Sequence, residues 1–96
     1  MKKAYLLEYS TSFGMREAVR DYLNAMPEVT HWRCDMAHSF YLISEASAAE
    51  LATRLRQLSG GNGRFLVTEL PDNKAGWLSK KSWYLMRNKT YLKSEI

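Results

Sequence analysis

The first side chain with chemistry to account for is Glu8, inside the apolar run Ala4-Tyr5-Leu6-Leu7-Glu8-Tyr9. A carboxylate in the middle of an inner strand must be exposed, paired or used. His31 and His38 flank a short segment that also carries Cys34. As an acid–base pair the two histidines need positioned partners that the sequence does not supply. Cys34 has no neighbouring base to make it a nucleophile and reads as a packing residue or a surface thiol. It is the only cysteine, so no intrachain disulfide forms, and one Cys with two His falls short of a zinc site within one chain.

The clearest chemical pattern is electrostatic. Up to Asn73 there are eight Lys/Arg against nine Asp/Glu, a net of −1; from Lys74 onward there are six against Glu95 alone, a net of +5. That asymmetry points to phosphate or an acidic partner. Aromatic residues interleave with the cations: Trp77, Trp83, Tyr84 and Tyr91 lie among Lys74, Lys80, Lys81, Arg87 and Lys89. Basic side chains with aromatics between them track a phosphate backbone and stack bases. Lys80, Lys81, Arg87 and Lys89 are the expected phosphate contacts, with Tyr84 or Trp83 as the stacking ring. The plainer alternative is a solvated basic helix, with Trp77 and Trp83 fastening it to the sheet.

The elements that must position these residues follow from periodicity. Residues 4–9 alternate, placing Tyr5, Leu7 and Tyr9 on one face and Leu6 and Glu8 on the other. Hydroxyls of Ser10, Thr11 and Ser12 offer caps for a helix whose apolar stripe is Met15, Val19, Tyr22, Leu23 and Met26, ended by Pro27. Val29 to Asp35 and Ser39 to Ser44 read as a hairpin, the first strand at an edge and the second interior. Ser47 with Glu50 has capping-box spacing ahead of Leu51, Leu55 and Leu58. The run Ser59-Gly60-Gly61-Asn62-Gly63 stops that helix; it lacks the Lys-Ser/Thr signature and the following helix of a phosphate loop. Arg64 to Leu70 is a fourth strand. Ser79 caps a last helix over about 80–87, with Leu78 and Trp83 at hydrophobic-staple spacing.

The order β-α-β-β-α-β predicts an α+β, ferredoxin-like split βαβ fold. It has a four-stranded antiparallel sheet, strands one and three in the middle, and an added C-terminal helix. The 96 residues make one domain over 1–88, including the short basic helix, with 89–96 a flexible tail or an added strand. Both faces of the central strands are apolar, which predicts a homodimer that buries the second face or extends the sheet. No apolar run is long enough to cross a bilayer, and the Lys2-Lys3 start is followed by too short an apolar stretch for a signal peptide, so a cytoplasmic location is expected.

The layout resembles a known family. An Ala4-Tyr5-Leu6-Leu7 strand closes on Tyr9, then come a Trp32-containing edge strand, Phe40-Tyr41-Leu42-Ile43 and a capped helix. Phe65-Leu66-Val67 and Gly76-Trp77-Leu78 then lead into a short basic helix. Over residues 3 to about 88 this is similar to small bacterial ferredoxin-like proteins related to the CRISPR-associated adaptation nuclease, dimer-subunit family. The resemblance implies a dimer that binds nucleic acid. Family members that cut it carry, directly after the Tyr that ends strand one, an Asp that holds a divalent metal. Here that position is Ser10, and a serine hydroxyl is a poor Mg²⁺ ligand beside a carboxylate. Glu8 is then the only candidate catalytic or metal-binding acid nearby, and Mg²⁺ or Mn²⁺ is expected only if the chain is a nuclease; otherwise no cofactor is expected.

Three functions stay open from the sequence. The first is a non-catalytic or weakly catalytic nucleic-acid-binding homodimer working through the basic helix. The second is a protein–protein module, antitoxin- or inhibitor-like, that grips an acidic partner through a sheet edge and the apolar second face. The third is a metal-dependent nuclease.

Overall fold

A computed structural model describes residues 1–93 of the protein. Its elements, in order, are β1 (Lys3–Tyr9), α1 (Arg16–Asn24), β2 (Val29–Cys34), β3 (Ser39–Ser44), α2 (Ala48–Leu58), β4 (Phe65–Glu69) and α3 (Lys80–Asn88). The four strands form one antiparallel sheet in the order β2-β3-β1-β4. Strands one and three are central, as the doubly apolar patterns of Ala4–Tyr9 and Phe40–Ile43 require. This is the ferredoxin-like split βαβ arrangement, an α+β fold with a C-terminal helix added. Among the described residues no helix is long and apolar enough to cross a membrane.

Tyr5, Leu7 and Tyr9 of β1, with Phe40 and Leu42 of β3, pack against Val19 and Leu23 of α1 and Leu51 and Leu55 of α2. The alternation of β1 therefore runs as expected. The start of α1 does not. Ser10, Thr11 and Ser12 do not cap it; Thr11–Phe13 forms a 3₁₀ turn, and Met15 stands at the helix N-cap with no side-chain cap bond. Ser10 instead joins strands: its Oγ accepts from the Arg64 N–H at 3.0 Å. Met15, assigned to the buried stripe by its spacing, is 67% exposed, because the helix begins one residue later. Phe13 is the core residue of this turn, its ring 4.8 Å from Phe65 and 5.4 Å from Tyr22.

The Ser47–Glu50 capping box forms in both directions, each bond 3.1 Å. At the other end of α2 the chain doubles back through Gly60, Gly61 and Gly63, all with positive φ. Gly63 has a second constraint, since a Cβ there would lie 2.2 Å from the Phe13 backbone nitrogen.

The second face of the sheet is covered as the fastened-helix alternative expects. α3 lies across it, and Leu85 and Met86 complete a smaller core with Ala4, Tyr41 and Ile43. Leu6, Leu70, Leu78, Trp83 and Tyr91 pack around that core. The apolar area that suggested a covering partner is therefore largely filled from within the chain. Residues 89–93 add no strand; Tyr91 folds back so that its hydroxyl accepts from the Trp32 N–H at 3.1 Å and donates to the Trp32 carbonyl at 2.8 Å. The rest of the expected tail, 94–96, lies outside the described residues.

Candidate functional site

The basic helix α3 is positioned by a polar lock at its N-terminus. Ser79 is the N-cap, its Oγ accepting from the Ser82 N–H at 3.3 Å. Asp35, at the end of β2, accepts from the Ser79 N–H at 3.0 Å and the Ser82 hydroxyl at 2.7 Å. Arg33 Nε donates to the same Ser82 hydroxyl at 3.0 Å, and Ser82 is fully buried. A carboxylate here also meets the positive end of the helix dipole. The Ser82 hydroxyl foremost, then the Ser79 amide, with Arg33 nearby, hold Asp35 below the ordinary carboxylate range despite burial. The sequence marks Ser79 as the cap but does not point to Asp35. The available signal was an Asp ending the edge strand, which nothing connected to a helix 44 residues later.

With Ser82, Leu85 and Met86 buried, a turn of 3.6 residues puts Lys80, Lys81, Tyr84 and Arg87 on the opposite side. Lys80, Lys81 and Arg87 are exposed, and Tyr84 is half-buried between them. These four residues of the expected interface are brought together on one face.

Lys89 departs from the group. It adopts the left-handed conformation that closes α3, its N–H donates to the Leu85 carbonyl at 2.8 Å, and its Nζ donates to the Met86 carbonyl. Its ammonium serves as a C-cap, a favourable place for a cation. Lys74 is similarly engaged, donating from Nζ to the Pro71 carbonyl at 2.8 Å.

The tryptophans divide. Trp83 packs against the second core, as the fastening role requires. Trp77 does not fasten anything: it is 99% exposed. It stands at the mouth of a groove of about 320 Å³ lined by Leu6, Met36, Tyr41, Leu70 and Lys74.

The remaining candidates stay apart. Glu8 is exposed on the α3 side of β1, opposite Ser39 and Leu66 on the flanking strands. His31 lies on the α3 side of β2, its ring 4.7 Å from Tyr91, whereas His38 stands in the β2–β3 turn, edge-on to Tyr9 at 5.8 Å. The two histidines share no site. Burial, with Lys2 adding to it, lowers the pKa of His31. Cys34 is half-buried and directs its thiol to the Met36 carbonyl at 3.3 Å.

These residues do not fit the divalent metal that the family resemblance implies. The Ser10 hydroxyl is taken up by the Arg64 N–H and by Ser12 Oγ at 3.0 Å, and among the described residues no three His, Cys, Asp or Glu side chains form a group able to hold a metal ion. No family model, curated protein or solved structure matches the chain.

Proposed function

We propose that this chain is a nucleic-acid-binding module, non-catalytic or weakly catalytic, that grips the phosphate backbone with the solvent face of α3. The observation that carries this is the placement of Lys80 and Lys81. They occupy the first turn of the helix, which holds no acidic residue. Cations there oppose the helix dipole, and stability alone favours Asp or Glu at those positions. Two adjacent exposed lysines with Arg87 on the same face cost the helix something and are repaid by an anionic ligand. From Lys74 to Lys93 the chain carries six cations and no acid, so no internal carboxylate competes within that stretch. Contacts of this kind position a backbone and carry little sequence information.

A homodimer belongs to the same proposal. β4 forms an outer edge of the sheet, and the alternation of its bonds to β1 turns the backbone groups of Phe65, Val67 and Glu69 outward. A second copy pairing along that edge would continue the sheet and double the basic surface. The likeness in layout to the CRISPR-associated adaptation subunits accords with both points. A protein-binding module for an acidic partner is the competing reading, and it loses most of the apolar second face to α3.

Binding of labelled DNA and RNA at two salt concentrations tests the proposal. Lys80→Glu with Lys81→Glu is expected to abolish binding while the fold persists; unchanged affinity would overturn it.

A further inference from the structure

We infer that Trp77 is a base-stacking platform and that the ligand of the α3 face is therefore single-stranded nucleic acid. This rests on the nucleic-acid reading of α3.

An indole with 99% of its surface in water is an expensive exposure for a residue that usually buries most of its area. Gly76 precedes it, with nothing within 4 Å of where its Cβ would be, so the chain leaves the indole standing clear of the fold. The segment that carries it borders an apolar groove lined by Leu6 and Tyr41. Met36, also lining the groove, is 50% exposed, and Leu66, on the same side of the sheet, is 61% exposed.

The charge around this patch selects the occupant. Lys74 stands at the groove, and Lys80 is three residues from Trp77, so their Cα atoms are at most about 11 Å apart. Of the acids nearby, Asp35 is already bound at the α3 N-terminus, Glu8 lies beyond Leu6 along β1, and Asp72 faces a neighbouring hollow with Lys74, Arg87 and Lys89. A ligand that fits must be flat and apolar where it meets Trp77 and anionic where it meets Lys80 and Lys81. An unpaired nucleotide has that combination, with its base on the ring and its phosphate on the lysines. A duplex hides its base faces within the stack and offers Trp77 nothing to cover. Tyr84 and Trp83 are poorer platforms, because both are half-buried against the helix and its core.

The test compares single-stranded and duplex oligonucleotides of equal length against the wild-type chain, Trp77→Ala, Trp77→Phe and Lys80→Glu/Lys81→Glu. Because Trp77 is outside both cores, Trp77→Ala leaves the fold intact. It is expected to weaken single-strand binding about tenfold or more, since stacking contributes about 1–3 kcal/mol per base. Trp77→Phe should recover much of the loss, and duplex affinity should be unmoved by either change. Full single-strand affinity in Trp77→Ala, with binding lost in the lysine variant, overturns the stacking role and leaves the α3 reading standing. Equal weakening for single strand and duplex overturns it too. If the wild-type chain binds neither strand form at low salt, both inferences fall and the groove is left to a protein partner.

Discussion

At the scale of single residues, Gly63 and Asp35 do more than their sequence positions suggest. Gly63 combines a φ of +75° with contact against the Phe13 backbone, so Gly63→Ala meets a conformational and a steric obstacle together. We expect a loss of about 2–4 kcal/mol, read by urea unfolding. A near-neutral result would mean that the turn and the 3₁₀ segment can separate freely. Asp35 carries a pH signature. Its folded pKa lies below the ordinary value, so the stability it adds is present in full above about pH 4 and is lost as pH falls through the folded pKa. Asp35→Asn should therefore lower stability at pH 7 by about 1–2 kcal/mol, and the gap from wild type should close in acid. A gap that persists unchanged at low pH would show that shape, not charge, makes the lock.

At the scale of elements, α3 and the segment after it seal the structure. Tyr91 gives both its donor and its acceptor to the outward backbone of Trp32 on edge strand β2, protecting an edge that would otherwise be open to pairing. Tyr91→Phe should cost about 1 kcal/mol and speed hydrogen exchange at the Trp32 amide; unchanged exchange would contradict the edge-sealing role. Much at this scale was legible in the sequence. Alternation in Ala4–Tyr9 and Phe40–Ile43 located the central strands, and the Ser47–Glu50 spacing and Ser79 marked two helix starts. The failures have a common cause. Met15 and the Ser10–Ser12 hydroxyls fit a helix start by spacing, but the deep burial of Phe13 draws the chain into a 3₁₀ turn first. Residue type offers Trp77 and Trp83 equally for fastening, and only three-dimensional packing shows Trp83 and Leu78 filling that role without Trp77. Asp35 and Ser82, 47 residues apart, meet only through the crossing of α3 over the sheet.

At the scale of the whole molecule, two cores lie on opposite faces of one sheet, and the exposed side of α3 presents a basic surface. Lys80, Lys81 and Arg87 are exposed there, whereas Lys74 and Lys89 spend their ammonium groups on the backbone. The candidate interface was thus legible in composition, but its membership was not, because charge counting cannot distinguish a cap from a free cation. Replacing Lys80 and Lys81 by glutamate should not destabilise the protein, since acids suit a helix's first turn; a clear loss of stability would contradict this.

The most direct measurement is the salt dependence of binding to a short single-stranded oligonucleotide, for wild type and for Lys80→Glu/Lys81→Glu. Three phosphate contacts on a single strand predict a slope of log K against log salt of about −2 for the wild type, and no measurable binding for the variant. Binding that ignores salt, or a variant that binds as the wild type does, would contradict the assignment of the α3 face to phosphate.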